Sequence, residues 1–188
     1  MAVKKIWYDI VAPEMFGSTV IGQTLAAEPK QLVGRVLKLA LPDMNVESRK
    51  FYIKICLRID SVEGTKALTR FMGHDCTGER VYRMVQRHAR RVDCIQDVQA
   101  KDAKLRVKTV LIIPHRVGTS IKDAIRTKLR EAIEQLVSNM TAEEFIHSVI
   151  DDKLQLAIKD ACKKIYQIGM IEIRKSEVLG ANATLAVA

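Results

Sequence analysis

The chain has 188 residues and a formal net charge of +9, with 48% hydrophobic and 28% charged residues. That balance suits a globular core and excludes an intrinsically disordered chain, and no apolar run approaches the roughly eighteen residues that span a bilayer as a helix. The positive excess favours a polyanionic partner, while aromatics at only 5% disfavour a base-stacking sheet of the RRM kind.

Residues 1–30 settle into neither hydrophobic period and carry turn residues throughout, so they read as an extended N-terminal arm. Lys4 and Lys5 open it, followed by Trp7, Tyr8 and, beyond Pro13, Phe16. Its stretch from Gly17 to Thr24 is one substitution from a phosphate-binding G-x-x-x-x-G-K-[ST] loop. Gln23 stands where that loop needs its lysine, Pro13 interrupts the preceding strand and Pro29 limits a following helix, so nucleotide hydrolysis is not expected.

From Leu32 the texture is β. A strand with Leu37 and Leu39 precedes the Pro42-Asp43 turn, and Arg49–Asp60 then alternates Phe51, Ile53, Ile55, Leu57 and Ile59 with Tyr52, Lys54, Cys56, Arg58 and Asp60. After Glu63-Gly64-Thr65, a short strand over Lys66–Met72 carries Lys66 and Arg70 toward the next element.

The Asp75–Val92 stretch is expected to be helical from near Gly78, with Asp75 or Thr77 as N-cap. At about 100° per residue, Val81, Met84, Val85, His88 and Val92 share one face. Arg80, Arg83, Arg87, Arg90 and Arg91 share the neighbouring arc. A solvated face would mix signs at i, i+4, whereas guanidiniums concentrated on one arc repel one another unless an anion completes them. Phosphate is the expected anion.

Two more strands, Val92–Gln99 and Lys104–Ile113, flank the Ala100–Ala103 turn. Beyond His115 and Arg116, a long helix begins near Ser120 with Asp123 as its capping-box partner and displays Lys122 and Arg126. Thr141 with Glu144 caps a helix over Ala142–Ile150, and Asp151 or Asp152 caps one over Lys153–Ile168. Met170–Lys175 is expected to add a strand. The fold class is α+β: a curved antiparallel sheet or partly closed β-barrel with flanking helices, plus the arm. The expected organisation is an arm over 1–30, a single α+β RNA-binding domain over 31–179 and a flexible tail over 180–188.

Convergent chemistry is sparse. Cys56, Cys76, Cys94 and Cys162 lack paired spacing and read as reduced thiols in the core, without a metal site. His74 beside Cys76 is a poor nucleophile–base pair, since sequence neighbours rarely face each other, and Asp151-Asp152 is explained by helix capping. No catalytic group, cofactor, metal, membrane or small-molecule substrate is expected. What remains is dispersed positive charge, suited to structured RNA.

Several segments together resemble the ribosomal protein S-three-A-e family of archaeal and eukaryotic small subunits. They are WYDIVAPEMFG at Trp7–Gly17, VIGQTL at Val20–Leu25, GRVLKLAL at Gly34–Leu41, RKFYIKIC at Arg49–Cys56, FMGHDCTGERVYRMVQR at Phe71–Arg87 and IEIRKSEVL at Ile171–Leu179. The long lysine-rich N-terminal extension and C-terminal tail of eukaryotic members are not seen, so the resemblance is to the archaeal form. It implies a cytoplasmic, ribosome-bound structural constituent on the small-subunit platform near the messenger RNA exit. Implied partners are small-subunit ribosomal RNA and neighbouring platform proteins, with messenger RNA near the exit as a further candidate. Under that implication Arg70, Arg80, Arg83, Arg87, Arg90 and Arg91 are expected to meet RNA phosphates. Lys4 and Lys5 would anchor the arm, Arg116, Lys122 and Arg126 would form a second contact, and Trp7, Tyr8 and Phe16 would dock the arm. A free RNA- or DNA-binding regulator is the alternative, with an RNA-processing enzyme behind it.

Overall fold

The structure, a computed structural model, describes residues 5–44 and 50–181. The chain divides into two compact units, 1–74 and 75–188.

The first unit is built from β1 (Ile6–Val11), β2 (Val20–Ala26), β3 (Val36–Ala40), β4 (Ile53–Glu63) and β5 (Lys66–Cys76), whose last two residues pass into the second unit. Their spatial order is β2-β1-β5-β4-β3. β1 runs antiparallel to β2 and parallel to β5, and β3 is antiparallel to β4. The sheet is therefore mixed rather than purely antiparallel, and among the described residues it does not close into a barrel. Alternation along β4 buries Ile53, Ile55, Leu57 and Ile59 and leaves Lys54, Arg58 and Asp60 exposed.

The stretch expected as an extended arm is a strand pair over its described part. Tyr8 packs with Ala26, Leu32, Ile59 and Ala67, and the Thr69 hydroxyl donates to the Val11 carbonyl at 2.6 Å. The alternation in β1 is only six residues long and Gly22, Gln23 and Thr24 interrupt the apolar residues of β2, so neither rises above the turn residues around it. Gly17, at φ 83°, closes the single turn Glu14–Phe16, and Gly22 lies within β2, so the Gly17–Thr24 stretch forms no phosphate loop.

The second unit pairs β6 (Arg90–Gln99), β7 (Ala103–Ile113) and β8 (Met170–Ala181) antiparallel in the order β8-β7-β6. One face is covered by α2 (Thr119–Val137), α3 (Ala142–Ile150) and α4 (Lys153–Lys163). Leu105, Val107, Leu111 and Ile113 of β7 meet Ile125, Leu129 and Ile133 of α2 and Phe145 of α3 there. Each such fully buried side chain contributes about 1.5–3 kcal/mol relative to an exposed one. The opposite face receives a single short helix, α1 (Gly78–Met84), through Val81 and Met84 against Val110 and Ile112.

Local signals account for most of these elements. The expected capping box at α3 is formed: the Thr141 hydroxyl accepts from the Glu144 N–H at 3.2 Å, and the Glu144 carboxylate accepts from the Thr141 N–H at 2.9 Å. Asp102, in the β6–β7 turn, adds a long-range cap by accepting the Ala142 N–H at 2.9 Å. At α2 the expected Ser120–Asp123 box is absent. That helix starts after Gly118, and Asp123 is taken by Arg126 at 2.7 Å. At α4, Asp152 is the N-cap residue but adopts φ 62° and makes no side-chain cap, and the helix ends at Lys163 rather than Ile168.

The largest departure concerns the arginine segment. A helix was expected to run to Val92, but α1 has seven residues and stops at Met84. Val85 is extended, His88 adopts φ 71° and the Ala89 N–H closes a turn onto Gln86. Arg90 and Arg91 instead open β6, in register with Ile113 and Ile112. Ten cross-strand partners from Arg90 to Gln99 make a longer ladder than the two further helical turns could offer. The tail beyond Ala181 lies outside the described residues.

Candidate nucleic-acid interface

Strand periodicity divides the charges of the second unit. On β6, Val92, Cys94 and Val98 point to the helices, which turns Arg91, Asp93, Ile95 and Asp97 to the other face. On β7 the same rule turns out Lys104, Arg106 and Lys108. β8 departs from it: the register shifts where Lys108 pairs Lys175 and Thr109 pairs Ile173, leaving Arg174 as the extra residue of a bulge. The bulge brings Arg174 beside Arg91 and Lys108, and all three line a cavity of about 170 Å³ with Asp93 and Ile95.

Carboxylates on this face are fewer than cations and are already engaged. Asp97 takes Arg106 through two hydrogen bonds of 2.7 and 2.9 Å, and Arg91 lies 2.8 Å from Asp93. Glu177 holds both Lys175, at 2.6 Å, and Lys108, at 3.2 Å. The hydrogen bond from Arg106 keeps the Asp97 carboxyl below the usual carboxylate range, and that from Lys175, helped by Lys108, does the same for Glu177. Arg174 has no carboxylate partner among the described residues. A half-buried, uncompensated guanidinium between two other cations is a place for an anion.

The expected arginine set is dispersed. Arg80 faces inward, 3.6 Å from the Glu172 carboxylate, whose side chain is 5% exposed, so its charge offsets a buried one. Arg83 is 82% exposed and pairs loosely with Glu79 at 3.7 Å, an i, i+4 contact worth a few tenths of a kcal/mol. Arg87 lies in the turn after α1 and Arg90 at the start of β6, both exposed. Only Arg91 reaches the cavity.

The second expected contact also divides. Arg116 is exposed in the loop before α2, Lys122 is half-buried, and Arg126 donates to Asp123 and, at 3.4 Å, to the Asp93 carbonyl on β6. In the first unit Arg70 pairs with Asp60 at 3.5 Å, Lys5 is exposed and Lys4 lies outside the described residues. Tyr8 and Phe16 are buried at 4% and 7% exposure, whereas Trp7 is 61% exposed.

Arg174 and Lys108, which line the cavity, were not among the residues expected from sequence. The alternation of Arg106 and Lys108 within β7 was visible, but a bulge that turns Arg174 onto the same face leaves no signal in hydrophobic period. His88, expected on an apolar helix face, is exposed in the turn. Cys76 is buried, and burial first, with the Glu172 charge adding and Arg80 opposing, pushes its thiol up to about 12, so it is a neutral core thiol and not a nucleophile. Among the described residues no group of His, Cys, Asp and Glu is placed to hold a metal ion, and no helix is long and apolar enough to cross a membrane.

The chain matches the Ribosomal S3Ae family over residues 2–182. It is 37% identical over 176 residues to the small ribosomal subunit protein eS1 of Methanococcus maripaludis, covering 93% of this chain and 79% of that protein. The protein of the same name from Methanopyrus kandleri is 38% identical over 180 residues, covering 93% of this chain and 85% of the relative. That of Desulfurococcus amylolyticus is 35% identical over 176 residues, covering 93% and 83%. With the match spanning both compact units, this chain belongs to the Ribosomal S3Ae family.

Proposed function

We propose that this family member is a structural constituent of the small ribosomal subunit, of archaeal type and not an enzyme, that holds ribosomal RNA through backbone phosphates. Family membership and the name shared by its archaeal relatives support the ribosomal role. The observation that carries the RNA contact is the strand face of the second unit, where Arg174 stands uncompensated beside Arg91 and Lys108. Arg83, Arg87 and Arg90, all exposed, add to that contact, and Arg116, Lys122 and Arg126, around the start of α2 in the helix layer, form a second one. Lys4, Lys5 and Arg70 serve the first unit, and Arg80 acts mainly by steadying Glu172. The resemblance further suggests a position on the platform near the messenger RNA exit, with neighbouring platform proteins and a cytoplasmic, ribosome-bound location.

Each phosphate contact releases counterions, giving a slope of log K against log salt of about −0.9 per phosphate on a duplex. The double variant Arg174→Gln with Lys108→Gln should lower that slope by one to two such increments and weaken incorporation, read by sedimentation with small subunits at rising salt. Incorporation equal to wild type at every salt concentration would sink the strand-face assignment. A protein that never sediments with small subunits would instead be the free nucleic-acid-binding regulator.

A further inference from the structure

Trp7 is 61% exposed although it lies within a strand. The reason is period two: Tyr8 and Ile10 take the buried face of β1, which turns Trp7, Asp9 and Val11 to the other. On that face Trp7 stands opposite Leu25 of β2, which is 36% exposed. Further along, Asp9 accepts a hydrogen bond from Gln23 at 2.9 Å, and only beyond that polar pair do Val11 and Val20 meet. The apolar strip is interrupted, and a protein partner seeking one continuous dry patch would have to bury the Asp9–Gln23 pair.

Beyond Leu25 and the Asp9–Gln23 pair, this face carries a series of cations. Lys66 sits beside Asp9 in the parallel β1–β5 register and is exposed. At about 3.3 Å per residue and 4.8 Å between strands, its Cα lies about 8 Å from that of Trp7. Arg70, paired with Asp60 at 3.5 Å, follows on β5, and Lys54 and Arg58 are exposed on β4. Lys5 precedes Trp7 by two residues and is exposed. An isolated aromatic face among dispersed positive charges is the combination that binds single-stranded nucleic acid, because every base offers a stacking surface while the cations follow the backbone.

We propose that Trp7 stacks on an unpaired RNA base while Lys5, Lys66 and the exposed arginines of the same sheet face hold the flanking phosphates, making the first unit a single-strand-binding surface. This rests on the RNA-binding reading above and adds the kind of RNA: an unpaired segment read through a base, where the second unit is assigned backbone phosphates alone. Trp7 is the protein's 1 tryptophan, so its emission reports this site alone.

The full-length chain is titrated with a short single-stranded polyadenylate and, separately, with an RNA duplex of equal length, following both tryptophan emission and the anisotropy of a labelled probe. The single strand should quench Trp7 and the duplex should leave it unchanged. Trp7→Ala should weaken single-strand binding roughly 5- to 150-fold and duplex binding hardly at all, since one stacked base accounts for that range. Trp7→Phe, which keeps a ring, should stay within a few-fold of wild type. Single-strand binding with unaltered emission and no loss in Trp7→Ala overturns the inference but leaves the RNA reading intact. Equal losses for both probes in Trp7→Ala overturn it as well. If neither probe binds, the inference and the RNA reading fall together.

Discussion

The two faces of the β8-β7-β6 sheet are made by the same strands yet answer to different physics. Toward the helices, Leu105, Val107, Leu111 and Ile113 are fully buried and their neighbours are aliphatic or aromatic. On the other side, past the part covered by α1, charges stand in cross-strand register: Asp97 opposite Arg106, and Lys108 opposite Lys175. Exposed pairs of that kind hold little stability, because water screens them and long side chains lose freedom in forming them. Substitutions should therefore separate: changes on the helix face should move stability, and changes on the strand face should move RNA affinity.

The sharpest way to break that division is on the helix face. Leu111→Ala should destabilise the protein by about 2–5 kcal/mol, as buried leucine truncations do when the cavity cannot collapse. Denaturant unfolding would reveal it, and a loss below about 1 kcal/mol would mean that the helices do not pack on β7 as described. Arg80→Met probes the boundary between the faces, since it removes the guanidinium that lies 3.6 Å from the buried Glu172 carboxylate. A cost of about 1–3 kcal/mol is expected, with any fall in RNA binding tracking the lost fold. Arg83→Gln on the same helix should change stability by less than about 0.5 kcal/mol while lowering RNA affinity. If Arg80→Met were as stable as Arg83→Gln, Arg80 would return to the exposed, RNA-facing group.

Legibility in the sequence followed the same divide. The α+β class, β4, β7 and the α3 cap could be read because each is set by residues near in sequence: the alternation Ile53, Ile55, Leu57, Ile59, or the Thr141–Glu144 pair. The cut at Met84 could not. Residues 85–92 have a fair helical period, and only the pairing of Arg90 and Arg91 with Ile113 and Ile112 draws them into a strand. The parallel pairing of β1 with β5 was hidden for the same reason, and it decides which face of β1 is buried, so that Tyr8 enters the core while Trp7, one residue away, faces out. Of the expected contact residues, the exposed ones remain candidates. Arg80 and Tyr8 turned inward because a buried carboxylate and a small core, neither visible locally, needed them.

The finest test of the comparison is Glu177, which touches both quantities at once. Its carboxylate binds Lys175 and Lys108, and the first of these contributes most to holding its pKa below the ordinary carboxylate range. A depressed folded pKa means that the ion pairs stabilise the fold above the unfolded value of about 4.3 and that this contribution is lost as pH falls through the folded value. Glu177→Gln should thus lower stability at neutral pH by under about 1 kcal/mol, or about 2–4 °C at most in Tm. The difference from wild type should begin to shrink as pH falls below the unfolded value of about 4.3 and vanish once pH lies beneath the lower folded value. At neutral pH the same variant removes the carboxylate that Lys108 and Lys175 share near Arg174, so RNA affinity should rise while stability falls. Thermal unfolding across pH together with RNA titration at fixed salt measures both. A variant that lost affinity along with stability would show that the carboxylate orders the lysines for RNA rather than competing with it, and the separation of the two faces would fail at this residue.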